Sequence, residues 1–138
     1  MRILSTRWVR SLILIAVGTI CLILDGAFLD LFPSLIFYLA LEYLWFESGL
    51  DALRVMIILT FHSVACFGNI RIVYVVLFAL HESFLLWREL FLKPFVPFVI
   101  YLVTICFICS IMGSYWIGAV AVTLVALSLW RGKVVEKI

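Results

Sequence analysis

The sequence is poor in charge. Asp, Glu, Lys and Arg make up 13% of its 138 residues while 67% are hydrophobic, and the mean hydropathy is +1.31. A water-soluble domain has no way to bury that much apolar surface, so a bilayer is the solvent this chain predicts. Proline and glycine are scarce as well, at 3 and 7 copies, and no repeat or low-complexity tract interrupts the chain. A single unit covering residues 1–138 is expected, with no appended soluble domain.

Other absences narrow the function. The net charge is only +2, and the lysines and arginines stand singly at the edges of apolar runs instead of forming a stripe with exposed aromatics, which argues against a nucleic-acid surface. There is no Gly-rich phosphate loop, no HExxH, no nucleophile elbow, and no intramembrane GxxxD or paired aspartate. The loops are too short to build a soluble active site. Neither enzymatic activity nor a cofactor, catalytic or metal site is expected. Cys21, Cys66, Cys106 and Cys109 all lie within apolar runs, and the CxxC of Cys106 and Cys109 falls mid-helix with no second pair, so packing is their expected role.

What is present is a series of apolar runs separated by punctuation. A bilayer core takes about 20 apolar residues per helix, somewhat fewer where polar ends reach the interface. The opening has the basic start and apolar core of a signal peptide, but its apolar run is long and Asp25 spoils a small-residue cleavage site, so it reads as a first span over residues 8–24 ending at Asp25-Gly26. A second span is expected over 31–46, with Asp30 as its cap and Pro33 in its first turn. Glu47-Ser48-Gly49 reads as a turn and Asp51 as the cap of a third span over 52–67. Gly68-Asn69 separates it from a fourth over 70–87. A polar loop then leads to a fifth over 95–112, and Gly113-Ser114 to a sixth over 116–130.

Six spans on short loops force an antiparallel up-down order with both termini on one side. That side carries Arg2, Arg7, Arg10, Arg54, Arg88, Lys93, Arg131, Lys133 and Lys137, and the other only Arg71, which by the positive-inside rule puts both termini in the cytosol. Trp8, Trp45, Trp87, Trp116 and Trp130 fall near span ends, where interfacial anchors belong.

Four ionisable residues fall inside these spans. At about 1.5 Å per residue, His81 and Glu82 lie roughly 8 to 10 Å, Glu42 roughly 7 Å and Arg54 roughly 8 Å from the cytosolic ends of their spans. A charge in hydrocarbon is costly, so Glu42, Arg54, His81 and Glu82 are expected to face the interior as a structural clamp, with Arg54 paired to Glu42 or Glu82. His62, beside Thr60 and Ser63, is a candidate polar contact to a neighbouring helix. Haem ligation by His62 and His81 is disfavoured, because the two lie at depths of roughly 9 and 18 Å from the Gly68-Asn69 turn. Gly18, Gly118 and Ala121 are small residues that permit close helix approach.

The order of signals resembles the rod-shape-determining MreD family of bacterial inner-membrane proteins. A basic first span leads to "LFPSLIFYLALEYLW", similar to the family's Pro-x-Leu entry into an apolar second helix. The stretch "TFHSVACFGNIRIVYVVLFAL" resembles its helix, glycine-containing turn and next helix, and the last span ends in "LWRGKVVEKI". Where many members carry a Leu-Asp pair near the end of the third span, this chain has Phe61-His62-Ser63. The resemblance implies a scaffold subunit of the cell-elongation machinery in the inner membrane, with an MreC-like bitopic protein as partner. The family also shares the six-helix architecture of the substrate-binding subunits of energy-coupling-factor vitamin transporters, which makes a vitamin-binding subunit the alternative expectation.

Overall fold

A computed structural model describes residues 2–28, 31–46 and 49–130, with side chains from residue 8 onward. Its elements are α1 (Arg2–Phe28), α2 (Leu35–Leu44), α3 (Gly49–Phe67), α4 (Ile72–Trp87), α5 (Phe95–Ile111) and α6 (Trp116–Leu127), with a single 3-10 turn at Arg88–Leu90 after α4. No strand occurs among the described residues. Among the described residues two helices, over Trp8–Phe28 and Gly49–Phe67, are long and apolar enough to cross a membrane.

The breaks between helices have local causes. Gly68 and Gly113 have φ values of +78° and +113°, the left-handed region that favours glycine. After α5 the Ser114 N–H donates to the Cys109 carbonyl and the Gly113 N–H to that of Ser110, so Gly113 closes the helix in a Schellman motif. Below Gly68, Ser63 Oγ donates to the Asn69 carbonyl and accepts the Arg71 N–H, which fastens the turn into α4.

Two boundaries differ from the sequence expectation. Helix α1 does not stop at Asp25-Gly26 but runs to Phe28. A helical glycine costs about 1 kcal/mol relative to alanine, too little to end a helix whose inward stripe continues through Leu14, Gly18, Cys21 and Asp25. Helix α2 is shorter than residues 31–46, and Pro33 lies ahead of it instead of in its first turn. The expected cap Asp30 and the Glu47-Ser48 turn lie outside the described residues. Helix α3 already starts at Gly49, which leaves Asp51 inside its first turn, where a carboxylate is still favoured by the helix dipole.

Helix α2 is the hub: it contacts each of the other five α-helices, and nine of its ten residues are buried. Ten residues rise only about 15 Å, and the other helices surround this short segment on all sides. The other helices pack around it through stripes at helical spacing: Asp51, Val55, Leu59 and His62 on α3, and Tyr74, Leu77, His81 and Leu85 on α4. Outward positions are large and apolar, among them Ile57, Phe61, Val75, Val103, Phe107, Ile111 and Leu124.

The small residues serve this packing. A Cβ on Gly118 would fall on the Leu31 carbonyl, and one on Gly18 would come 2.6 Å from Ile58 Cδ1, so both glycines are filled by the chain itself. Ala121 faces outward.

Candidate functional site

The stripes carry polar residues at three levels, and each finds its partner on another helix. At one end, Asp25 of α1 is 1% exposed and lies among four donors. Its Oδ1 accepts the Ser34 N–H at 2.8 Å and the Ser34 hydroxyl at 2.6 Å, and its Oδ2 accepts the Leu35 N–H at 3.0 Å. The fourth is His62 of α3, whose Nε2 is 2.6 Å from the same Oδ2. His62 Nδ1 in turn lies 2.6 Å from the Tyr74 hydroxyl of α4. With Nε2 donating to the carboxylate and Nδ1 accepting from the phenol, a neutral ring satisfies all three groups, an assignment that follows from the partners.

Asp25 therefore does two jobs. It occupies the positive end of the α2 dipole, satisfying the first N–H groups that Ser34, which makes no side-chain cap bond to its own helix, leaves open. It also anchors the imidazole. One connected network joins α1, α2, α3 and α4, and a carboxylate with four donors needs no further counter-charge to remain buried.

The second level lies about eight residues, or roughly 12 Å, along α3 from the first. Arg54 Nη2 is 2.6 Å from Glu42 Oε1, and Nε is 3.0 Å from the same oxygen, a two-pronged contact between α3 and α2. Arg54 Nη1 lies 3.1 Å from Asp51 Oδ1 one turn away and donates to Ser11 Oγ of α1 at 3.2 Å. The Tyr38 hydroxyl donates to Glu42 Oε2 at 3.2 Å. Glu42 is 1% exposed, so the guanidinium is what allows its charge to sit there.

The third contact joins α4 to α5: His81 Nδ1 lies 2.5 Å from the Tyr101 hydroxyl, and the Tyr101 ring stacks on Tyr43 of α2 at 4.9 Å between centroids. Of the four residues expected to form one clamp, the structure joins Glu42 and Arg54. His81 bonds Tyr101 instead, and Glu82 bonds neither Arg54 nor His81. Equal height does not give equal direction. Successive residues on a helix point about 100° apart, so Glu42 and Tyr43 leave α2 toward different neighbours, and Glu82 is turned off the stripe that carries His81. Glu82 Oε1 is buried with no hydrogen-bond partner among the described residues. The clamp spans three helices, but they are α1, α2 and α3, and α4 is not among them.

His62 makes the interhelical contact anticipated for it, with partners that sequence reading did not identify. The sequence expectation ends the first span at Asp25, and it gives no role to Tyr74, Tyr101, Ser34 or Ser11. A signal for Asp25 existed: its spacing of four, seven and eleven residues from Cys21, Gly18 and Leu14 puts it on the buried stripe of α1. The two histidines belong to separate polar contacts, and no group of three or more metal-ligating side chains occurs among the described residues. All four cysteines are free.

A groove of about 680 Å³ runs along the outside of the bundle between α1 and α3. At one end it is bordered by Trp8, Arg10, Ser11, Trp45, Asp51 and Arg54, and further along by Leu14, Ile15, Ile57, Ile58 and Phe61. The Arg10 guanidinium lies over the Trp45 ring at 5.7 Å.

Comparison of the chain with protein-family models, with curated proteins and with solved structures finds no match.

Proposed function

We propose that the chain is a six-span, non-enzymatic scaffold subunit of a bacterial inner-membrane assembly, with both termini in the cytosol. The observation that carries this reading is where the polar chemistry goes. Asp25, His62, Tyr74 and Ser34, and likewise Glu42, Arg54 and Ser11, bond one another across helices, so these side chains fix helix positions inside while the outside is apolar. A rigid bundle with an apolar exterior suits a protein whose work is to hold another membrane segment by close packing.

The spanning pattern is supported by charge and by the two described helices long and apolar enough to cross a membrane. Helices α4 and α5, of 16 and 17 residues, rise about 24 and 26 Å, and Trp87 at the end of α4 and Trp116 at the start of α6 are placed as interfacial anchors. The lysines and arginines collect at one end of the up-down order. The resemblance to the MreD family supports the cell-elongation machinery as the assembly, with an MreC-like bitopic protein as the partner helix. The groove supports a second reading, a vitamin-binding transporter subunit, since about 680 Å³ is within the range of small-molecule sites. That reading needs its ligand on the outer side, whereas the polar mouth of the groove lies at the end rich in cations.

Two experiments test this. Tags at each terminus should be inaccessible in intact cells and accessible after lysis; tags in opposite compartments would end the six-span reading. Purification in mild detergent should bring down a stoichiometric single-span protein, and recovery of a tightly bound vitamin-like molecule in its place would transfer support to the transporter reading.

A further inference from the structure

Two of the carboxylates within the apolar helices are answered inside the bundle. Asp25 is met by Ser34, Leu35 and His62, and Glu42 by Arg54 and Tyr38. Glu82 on α4 is not: its Oε1 is buried with no hydrogen-bond partner among the described residues. The cations nearest in height or in sequence are engaged elsewhere. Arg54 lies on Glu42 and Asp51. Arg88, six residues along and turned about 120° around the helix, donates to the Tyr43 carbonyl at 3.2 Å with its guanidinium over the Tyr43 and Phe46 rings.

Glu82 is half-buried and belongs to the outer arc of α4 together with Val75, Ala79 and Leu86. Spacings of four, three and four residues hold these positions within about 60° of one another, the pattern of a seam that a second helix fills. Val75 and Leu86 are 59% and 78% exposed, and the small Ala79 lets another backbone come close beside the carboxylate. Five residues, about 8 Å, separate Glu82 from Trp87 at the end of α4, so an answering cation must reach it from within the hydrocarbon. Lipid ammonium groups stay outside it, in the headgroup layer. A second copy of the chain docked through this face about a two-fold axis sets Glu82 against Glu82. A helix of a different protein remains, and the charge it must bring is positive.

We infer that the outer face of α4 docks one transmembrane helix of a partner protein, and that this helix carries a lysine or arginine at the height of Glu82, about six residues in from its own cytosolic end. This rests on the membrane-spanning scaffold reading above and adds to it the docking face and the chemistry of the partner. The charge that nothing compensates in the free chain is then the contact that selects the partner, because a helix without a cation leaves the carboxylate stranded.

The test uses the full chain, donor-labelled at its amino terminus and reconstituted in phosphatidylcholine bilayers with acceptor-labelled leucine-alanine peptides of about 20 residues. The peptides carry a lysine or a leucine about six residues from one end. Energy transfer to the lysine peptide should reach its half-point at about a tenfold lower mole fraction than to the leucine peptide, the worth of one good polar contact between membrane helices. Glu82→Gln should abolish that difference and Glu82→Asp should keep most of it. Glu89→Gln, in the exposed turn after α4, should leave it unchanged. Equal half-points for the two peptides, a preference that survives Glu82→Gln, or one that is lost in Glu89→Gln overturns the docking face. Energy transfer between copies of the chain itself that Glu82→Gln abolishes makes a second copy the occupant and also overturns it. An alkaline wash of the same vesicles separates the two levels of the reading. A chain that stays in the bilayer without a lysine preference loses the docking face alone, whereas a chain that washes off loses the spanning reading and the face with it.

Discussion

His62 Nε2 and Asp25 Oδ2 lie 2.6 Å apart across 37 residues of sequence, both side chains wholly enclosed. Through Ser34 and Leu35 on one side and Tyr74 on the other, that contact fastens the start of α2 and of α4 to α1 and α3. Replacing His62 by Phe keeps an aromatic ring but leaves the carboxylate short of a donor and the phenol short of an acceptor, each orphaned group costing about 1–3 kcal/mol. Unfolding of the detergent-solubilised protein should show this loss. In a cycle with Asp25→Asn, the two substitutions should be non-additive by about 0.5–3 kcal/mol. Simple additivity would dissolve the connection between them.

Arg54→Ala should be among the most damaging single changes, because it strands the Glu42 carboxylate at 1% exposure. Breaking a buried pair from one side costs about 3–5 kcal/mol. Arg71→Ala is the control. Arg71 is exposed and its guanidinium lies 4.4 Å from the Phe67 ring centroid, a contact whose removal should change thermal stability little. Equal losses for the two variants would remove the clamp from consideration.

The carboxyls of Glu42 on α2 and Glu82 on α4 should respond in opposite ways to the same isosteric change. Glu42→Gln weakens the hold on Arg54 and should lower the melting temperature. Glu82 has an oxygen buried without a partner, so Glu82→Gln, which removes a charge that nothing compensates, should leave stability unchanged or raise it. A loss at Glu82 as large as that at Glu42 would show that Glu82 has a counter-charge.

Glycine packing is directional. Gly118→Ala drives a methyl group into the backbone of Leu31 and Phe32, which cannot yield without moving the lead-in to α2, and overpacking of this kind costs about 1–3 kcal/mol. Gly18→Ala meets the tip of the Ile58 side chain, which can rotate away, so its cost should be the smaller. Thermal melts of the two variants side by side give the comparison, and a reversed order would contradict the packing of α6 on residues 31 and 32.

Much of the fold was legible because its punctuation is local. Gly68 and Gly113 end helices by adopting backbone angles that other residues avoid, and that preference is visible in any context. Gly26 misled for the same reason in reverse: a glycine read as a break sits inside α1, held helical by the packing on either side of it. Height alone offered Arg54 two partners, Glu42 and Glu82, without choosing between them. The Asp25–His62–Tyr74 network is not legible in the same way, since a break expected at Asp25-Gly26 puts Asp25 beyond the packed part of the first helix.

Composition and spacing by themselves determined that the chain is helical, apolar and divided into six segments, because hydrophobic content and helix breakers act within a few residues of where they occur. They also determined the relative heights of the polar side chains expected within the segments, Glu42, Arg54, His81 and Glu82 among them, through a fixed rise per residue. Which polar groups meet was decided only by tertiary structure. A hydrogen bond depends on the rotation of two helices about their axes and on which helices are neighbours around α2, and neither quantity is carried by the rise along a single helix.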